Sequence, residues 1–258
     1  MNTEIKNRCK KIKLVATDID GVWTDTKMYY TNEGEFMKSF STYDGMAVEM
    51  LHNSKFIVSI LTSENSDLVK ARAKKLNIKY ALMVNSGSSA NLLAAFAACN
   101  PLRENRFKRG DHALIPALCW STSLWPLVQS GLNPEFVDVD PKTLNLDADH
   151  IISKITKKTK VIMLINVLGI SANNRKIINY AKKKGIIVIE DNCEALGGKY
   201  GEKFLGTFGD FGTFSFFYSH QITSGEGGMI VCHNDKDYEI LFALRSHGWL
   251  GGTRFYTR

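Results

Sequence analysis

Cysteine is scarce in this 258-residue chain and odd in number: Cys9, Cys99, Cys119, Cys193 and Cys232. Five cysteines with no close spacing exclude a disulfide framework, a zinc ribbon and a cysteine-held cluster, and they suit a reducing compartment. Long apolar runs are missing as well. Behind the charged start (Lys6, Arg8, Lys10, Lys11, Lys13) stand only Leu14, Val15 and Ala16. A signal peptide needs about 7–15 apolar residues and a spanning helix about 20, so a soluble, cytoplasmic protein with no membrane partner is expected. Positive charge is not gathered anywhere. The net +7 is shared almost evenly between the parts before and after residue 80, whereas a nucleic-acid binder concentrates it on one arm or helix, so no nucleic-acid partner is expected. No internal repeat or low-complexity segment is present. No Gly-, Pro- or Ser-rich linker interrupts Leu76 to Leu82, although the chain changes character there.

What remains is an ordinary globular balance, 44% hydrophobic and 23% charged, enough for one large domain or two small ones. Short β-branched runs alternate with helical stretches. Strands are predicted at 13–17, 56–61, 80–84, 112–115, 135–139, 161–165, 186–189, 212–216 and 228–232, and helices at, for example, 45–53, 66–76, 89–98 and 174–184. Such alternation predicts an α/β fold, a mostly parallel sheet with helices on both faces.

In the first part, a buried strand delivers Asp18 to its C-terminal end, with Asp20 two residues on and Gly21 allowing a sharp turn. Two hard oxygen donors so close suit Mg²⁺, one carboxylate attacking phosphorus and the other moving a proton; alternatively, they cap a turn. A second strand, ending at Leu61, presents Thr62 and Ser63 to a phosphoryl oxygen. The runs Asp18 to Asp25, Tyr43 to Met46 and Leu61 to Ser66 resemble the haloacid-dehalogenase (HAD) phosphatases, in the branch acting on 3-deoxy-octulosonate 8-phosphate. That resemblance covers about residues 11–79 and implies a partial Rossmann-like segment with Asp18 as nucleophile, Asp20 as acid/base and Thr62 as phosphate ligand. The family's downstream lysine and acidic pair do not appear before the pattern changes.

The second part carries other signals. Val84 to Asn91 follows a strand and opens a helix with small residues (Gly87, Ser88, Ser89), so backbone N–H groups can approach a phosphate, unless the turn is a simple cap. The apolar strand 186–189 runs into Glu190 and Asp191. An acidic residue there needs a positive partner, and a protonated pyridine nitrogen would be one; a plain strand-end cap is the other reading. Ser215 is a hydroxyl amid the aromatics of 208–218, and His220 lies just past that strand. Alone, Trp120 reads as core.

Together the segments 85–91, 116–140, 190–198 and 209–228 resemble the DegT/DnrJ/EryC1/StrS sugar aminotransferases over about residues 80–258. The resemblance implies the large domain of a fold-type I pyridoxal-phosphate transferase. It implies that Gly87, Ser88, Ser89 and Ser215 hold the cofactor phosphate, Trp120 stacks on the ring, Asp191 pairs with its nitrogen and Glu194 lies beside it. In the family's transaminases, the residue five beyond the serine of the Ser-Phe motif is the lysine that forms the Schiff base. Here that residue is His220. An imidazole moves protons near neutral pH, and histidine in this slot marks the family's sugar 3-dehydratases, which use pyridoxamine phosphate.

The expectation is therefore an HAD-like segment at 1–79, then a large domain at 80–258 whose small C-terminal domain is missing. The implied enzyme uses pyridoxal or pyridoxamine 5′-phosphate on a nucleotide sugar as a homodimer. Its reaction is 3-dehydration of a 4-keto-6-deoxy sugar, or transamination, in surface-polysaccharide biosynthesis. The alternatives are a sugar-phosphate phosphatase using Asp18, Asp20 and Mg²⁺, and an inactive fusion fragment. Without the family's downstream partners, Mg²⁺-dependent phosphate release from sugar phosphates should be negligible. Brisk turnover that disappears in Asp18→Asn would contradict this.

Overall fold

The computed structural model describes residues 14–17, 22–24, 29–32, 34–37, 39–40, 42–60, 79–170, 174–221 and 225–248. The chain forms two compact units, and the boundary between Ala81 and Leu82 falls inside a strand.

In the first unit, strands β1 (Leu14–Thr17) and β4 (Ile57–Ile60) pair in parallel from Leu14↔Ile57 to Thr17↔Ile60. Beyond β4, Ser59 and Ile60 pair in parallel with Lys79 and Tyr80 at the start of β5 (Lys79–Val84). A small hairpin joins β2 (Tyr29–Thr31) to β3 (Gly34–Met37). Helix α1 (Thr42–Asn53) packs on β4, with Val48 and Val58 buried. Trp23 is buried, its Nε1–H donating to Thr17 Oγ1 at 2.9 Å.

The second unit is an α/β layer structure. Its elements are α2 (Gly87–Ala98), β6 (His112–Pro116), α3 (Ser121–Gln129), β7 (Asn133–Val137), α4 (Ala148–Lys154), β8 (Thr159–Ile165), α5 (Asn174–Lys184), β9 (Ile187–Asp191), the ribbon β10 (Lys199–Tyr200) and β11 (Lys203–Phe204), β12 (Phe211–Ser215), β13 (Gly228–Cys232) and α6 (Asp235–Arg245). From the C-terminal half of β5, the strand order is β5-β13-β12-β9-β8-β6-β7. Neighbours from β12 to β7 pair in parallel, and β13 runs antiparallel to β12. On one face, α4 and α5 enclose a core of Leu114, Ile151, Ile162, Leu164, Ile177 and Val188. Helix α5 supplies it through Ile177, Ile178 and Ala181, a helical stripe, while Lys182, Lys183 and Lys184 stay in water. On the other face, α2 presses small residues (Ala90, Ala94, Ala95, Ala97, Ala98) onto β12 and β13 and meets α3 and α6.

All nine predicted strands form, and so does the mostly parallel sheet. The run predicted at 135–139 instead pairs as Asn133–Val137 and takes in Pro134. Strand β7 is the last in the order, and an edge strand tolerates a residue that cannot donate to the ladder. Strand β9 extends to Asp191 because side chains and turns satisfy its acidic end. The predicted helix 66–76 lies outside the described residues.

A buried ion-pair cluster ties distant parts together. Arg103 donates through Nε (2.6 Å) and Nη2 (3.0 Å) to the Asp237 carboxylate and through Nη2 to Asp210 Oδ1 at 3.0 Å. Its guanidinium lies 4.9 Å from the Phe211 ring centroid, and Asp210 Oδ2 accepts from the Val188 N–H. The two carboxylates hold the Arg103 pKa above its ordinary value despite burial. Arg103→Ala would leave Asp237 buried without its counter-charge, which typically costs about 3–5 kcal/mol. Lys176→Ala removes only an exposed pair with Asp149, worth less than about 1 kcal/mol. Urea denaturation of the two variants should show that contrast.

Candidate functional site

Three strand ends meet at the N-terminus of α2. Ser215 closes β12, the antiparallel β13 begins opposite it at Gly228, and β5 leads through Asn85 and Ser86 into the helix. Ser86 is the N-cap: its Oγ accepts the Ser89 N–H at 3.1 Å and bonds the Ser89 hydroxyl at 3.2 Å. The N–H groups of Gly87 and Ser88, first in the helix, have no intrahelical acceptor and make the positive end of the helix dipole. Glycine is required here. A Cβ on Gly87 would stand 2.6 Å from the Ser215 Cβ and 2.7 Å from Cys193 Sγ. One on Gly228 would stand 2.2 Å from the Ser86 carbonyl oxygen. Ser215 is buried and its Oγ accepts from the Phe217 N–H at 3.3 Å. Ser88 is exposed at the mouth.

The end of β9 carries two buried carboxylates on opposite faces. Glu190 accepts the N–H groups of Gly206 (3.0 Å), Phe208 (2.7 Å) and Gly209 (2.6 Å). Burial pushes its pKa up, and these donors pull the other way. Asp191, 5% exposed, faces α2. Its Oδ2 accepts from Asn91 Nδ2 at 2.8 Å and Ser123 Oγ at 2.7 Å, and its Oδ1 accepts from the Cys193 N–H at 3.1 Å. Among the described residues no Lys, Arg or His forms an ion pair with it. Burial, and the Asp191 charge beside it, push the Cys193 thiol far up, so it stays protonated and unreactive.

His220 is half-buried, its backbone N–H on the Phe217 carbonyl at 3.0 Å and its ring edge-to-face with Phe217 at 6.1 Å. The next residue, Gln221, donates through Nε2 to the Glu194 carbonyl at 2.7 Å, tying this loop to the one after Asp191. Glu194 itself is exposed. Trp120, at the start of α3, is 74% exposed, which excludes the core reading and leaves its ring face open.

The structure thus gathers Gly87, Ser88, Ser89, Ser215 and Asp191 around α2 and links the His220 loop to Glu194. Asp18, Asp20 and Thr62 lie outside the described residues, as does the proposed Mg²⁺ pair. No group of metal-ligating side chains occurs among the described residues, and none of their helices is long and apolar enough to cross a membrane. Asn91, Ser123 and Thr213 escaped assignment. Asn91 and Thr213 sit inside the two motifs, but only their pairing across 122 residues reveals a purpose; nothing in the sequence marks Ser123.

A mostly parallel sheet with a helix N-terminus and an acidic strand end at one edge defines the class, and comparison with known proteins gives the family. The DegT/DnrJ/EryC1/StrS aminotransferase family is matched over residues 42–258, and the chain belongs to it. The match begins at residue 42, ahead of residue 80, where the resemblance is expected to start. The chain is 46% identical over 177 residues to the GDP-4-keto-6-deoxy-D-mannose 3-dehydratase of Yersinia pseudotuberculosis, covering 69% of this chain and 45% of that protein. It is 33% identical over 184 residues to the GDP-perosamine synthase of Vibrio cholerae, covering 71% and 48%. The structure of the Escherichia coli GDP-4-keto-6-deoxy-D-mannose 3-dehydratase with bound hydrated PLP superposes with a TM-score of 0.64 at 38% identity, covering 86% of this chain and 56% of that one. The chain spans about half the length of the curated relatives it matches.

The two glycines give a test of the packing. Gly228→Ala meets backbone atoms that cannot move aside, whereas Gly87→Ala meets the Ser215 and Cys193 side chains. Both should lower the melting temperature, Gly228→Ala more, by the equivalent of about 1–3 kcal/mol of overpacking.

Proposed function

We propose that this chain binds pyridoxal or pyridoxamine 5′-phosphate and serves the 3-dehydration of a GDP-linked 4-keto-6-deoxy sugar. The observation that carries the reading is His220, which occupies the position, five beyond Ser215, where the family's transaminases carry lysine. The relative at 46% identity, named as a 3-dehydratase of a GDP-4-keto-6-deoxy sugar, supports both reaction and substrate class. A homodimer in the cytoplasm, acting in surface-polysaccharide synthesis, belongs to the same reading.

The residues fit the cofactor. Asp191 is a buried carboxylate with only neutral donors around it among the described residues, so it can accept a hydrogen bond from a protonated ring nitrogen. The Gly87 and Ser88 N–H groups, with the Ser88, Ser89 and Ser215 hydroxyls, can receive a phosphate at the end of the helix dipole. Trp120 can cover a ring face, and Glu194 lies one loop residue beyond Cys193. When bound, the cofactor supplies an electron sink for bond breaking next to its amine carbon. Asp191 keeps that sink effective by retaining the ring proton. His220 would take the proton released beside the cofactor's amine and could hand it to the sugar C3 oxygen, which then leaves as water; a free imidazole can do this because it makes no lasting covalent bond to the cofactor.

Borohydride treatment of the loaded protein should leave no cofactor attached at residue 220. In His220→Lys it should fix the cofactor covalently, as mass spectrometry of the digest would show. His220→Asn should retain pyridoxamine phosphate binding while losing dehydration by about 10²–10⁴-fold. Release of a 4-amino sugar by the wild-type protein would reverse the assignment in favour of transamination.

A further inference from the structure

The carboxylate of Asp191 is held by a chain of neutral groups whose polarity is fixed. Asn91 Nδ2 faces two groups that only accept, Asp191 Oδ2 at 2.8 Å and the Thr122 carbonyl at 3.3 Å. The amide nitrogen must therefore point there, leaving Asn91 Oδ1 towards Thr213 Oγ1 at 2.6 Å, and that hydroxyl must donate. Thr213, Asn91 and Ser123 are each at most 1% exposed, so water cannot substitute for any of them. With Ser123 added, Oδ2 already accepts two strong hydrogen bonds, whereas Oδ1 accepts the Cys193 N–H, and the only other donor to the carboxylate among the described residues is the Cys193 thiol, a weak one that a ring N–H would outcompete. A carboxylate oxygen has room for two.

The same helix builds both ends of the site. Gly87 and Asn91 are four residues apart on α2, about 6 Å along its axis, and Ser215 and Thr213 are two apart on β12, about 6.6 Å. The near match of the two repeats sets Gly87 against Ser215 and Asn91 against Thr213. The carboxylate is thereby placed at a fixed offset from the phosphate cradle.

We propose that Asn91, polarised by Thr213, is a positioning residue that occupies Asp191 Oδ2 and reserves Oδ1 for the ring N–H of the bound cofactor. The inference rests on the pairing of Asp191 with that nitrogen. Removing the Thr213 hydroxyl frees the Asn91 amide to turn its oxygen against the carboxylate. The loss should then be felt by a ligand that carries the ring nitrogen, and not by one that lacks it.

The experiment titrates this chain with pyridoxal phosphate and with its carbocyclic analogue, in which C–H replaces the ring nitrogen. Wild type, Thr213→Val, Thr213→Ser, Asn91→Leu and Asp191→Asn are compared, with circular dichroism confirming the fold. Thr213→Val and Asn91→Leu should weaken pyridoxal phosphate by about 10–100-fold, as expected for a buried hydrogen bond to a charged group. The analogue should change by less than about 3-fold, and Thr213→Ser should restore wild-type affinity. If Asn91→Leu does not fold, the Thr213→Val and Thr213→Ser pair decides alone. Equal weakening of both ligands, or undiminished pyridoxal phosphate binding in Thr213→Val while Asp191→Asn loses it, overturns the positioning role. If wild type and Asp191→Asn both bind the two ligands equally, the pairing with the ring nitrogen fails, and the positioning role falls with it.

Discussion

The site depends on how closely helix α2 lies on strands β12 and β13. A helix that carried large side chains on this face would be held farther from the sheet, whereas glycine permits close backbone approach. Here the face is made of alanine and glycine, so the backbone of the first turn comes against Ser215 and Gly228. That proximity puts an N-terminal helix dipole, a buried hydroxyl and a strand-end carboxylate within one small region. Each group alone is commonplace. Their assembly needs the absence of a Cβ at two positions.

The architecture was legible from pattern, because alternating β-branched runs and helical stretches leave few alternatives to a parallel sheet. Glycine at 87, the acidic end of β9 and the serine among aromatics also stood out, since each is a local anomaly in composition. What could not be read were the relations. Asn91 reaches Asp191 across 100 residues, and Arg103 reaches Asp237 across 134. Such pairs leave no periodic trace. Trp120 shows the opposite error: large and aromatic, it suggests core by type, yet it caps α3 and stays exposed because the helix turns its small Ser123 inward.

The Arg103 cluster stands apart from the site but shares its logic. Asp210 spends one oxygen on Arg103 and the other on the Val188 N–H, so the turn entering β12 is fixed to β9. Asp237, one turn into α6, is also bound by its cap residue Asn234. The strand that carries Thr213 and Ser215 is thus anchored at its first residues by ionic contacts and at its last by the helix.

Strand β9 ends on two adjacent buried carboxylates, and backbone and side-chain dipoles surround both. On the Glu190 side, three N–H groups supply the compensation permanently, but on the Asp191 side nothing among the described residues carries a full positive charge. A ligand that brings a cation to Asp191 therefore stabilises the fold as well as filling the site, by mass action on the native state. Newly made chains and mature ones then differ in their resistance to opening. A chain with this position filled should therefore resist proteolysis better than an empty one.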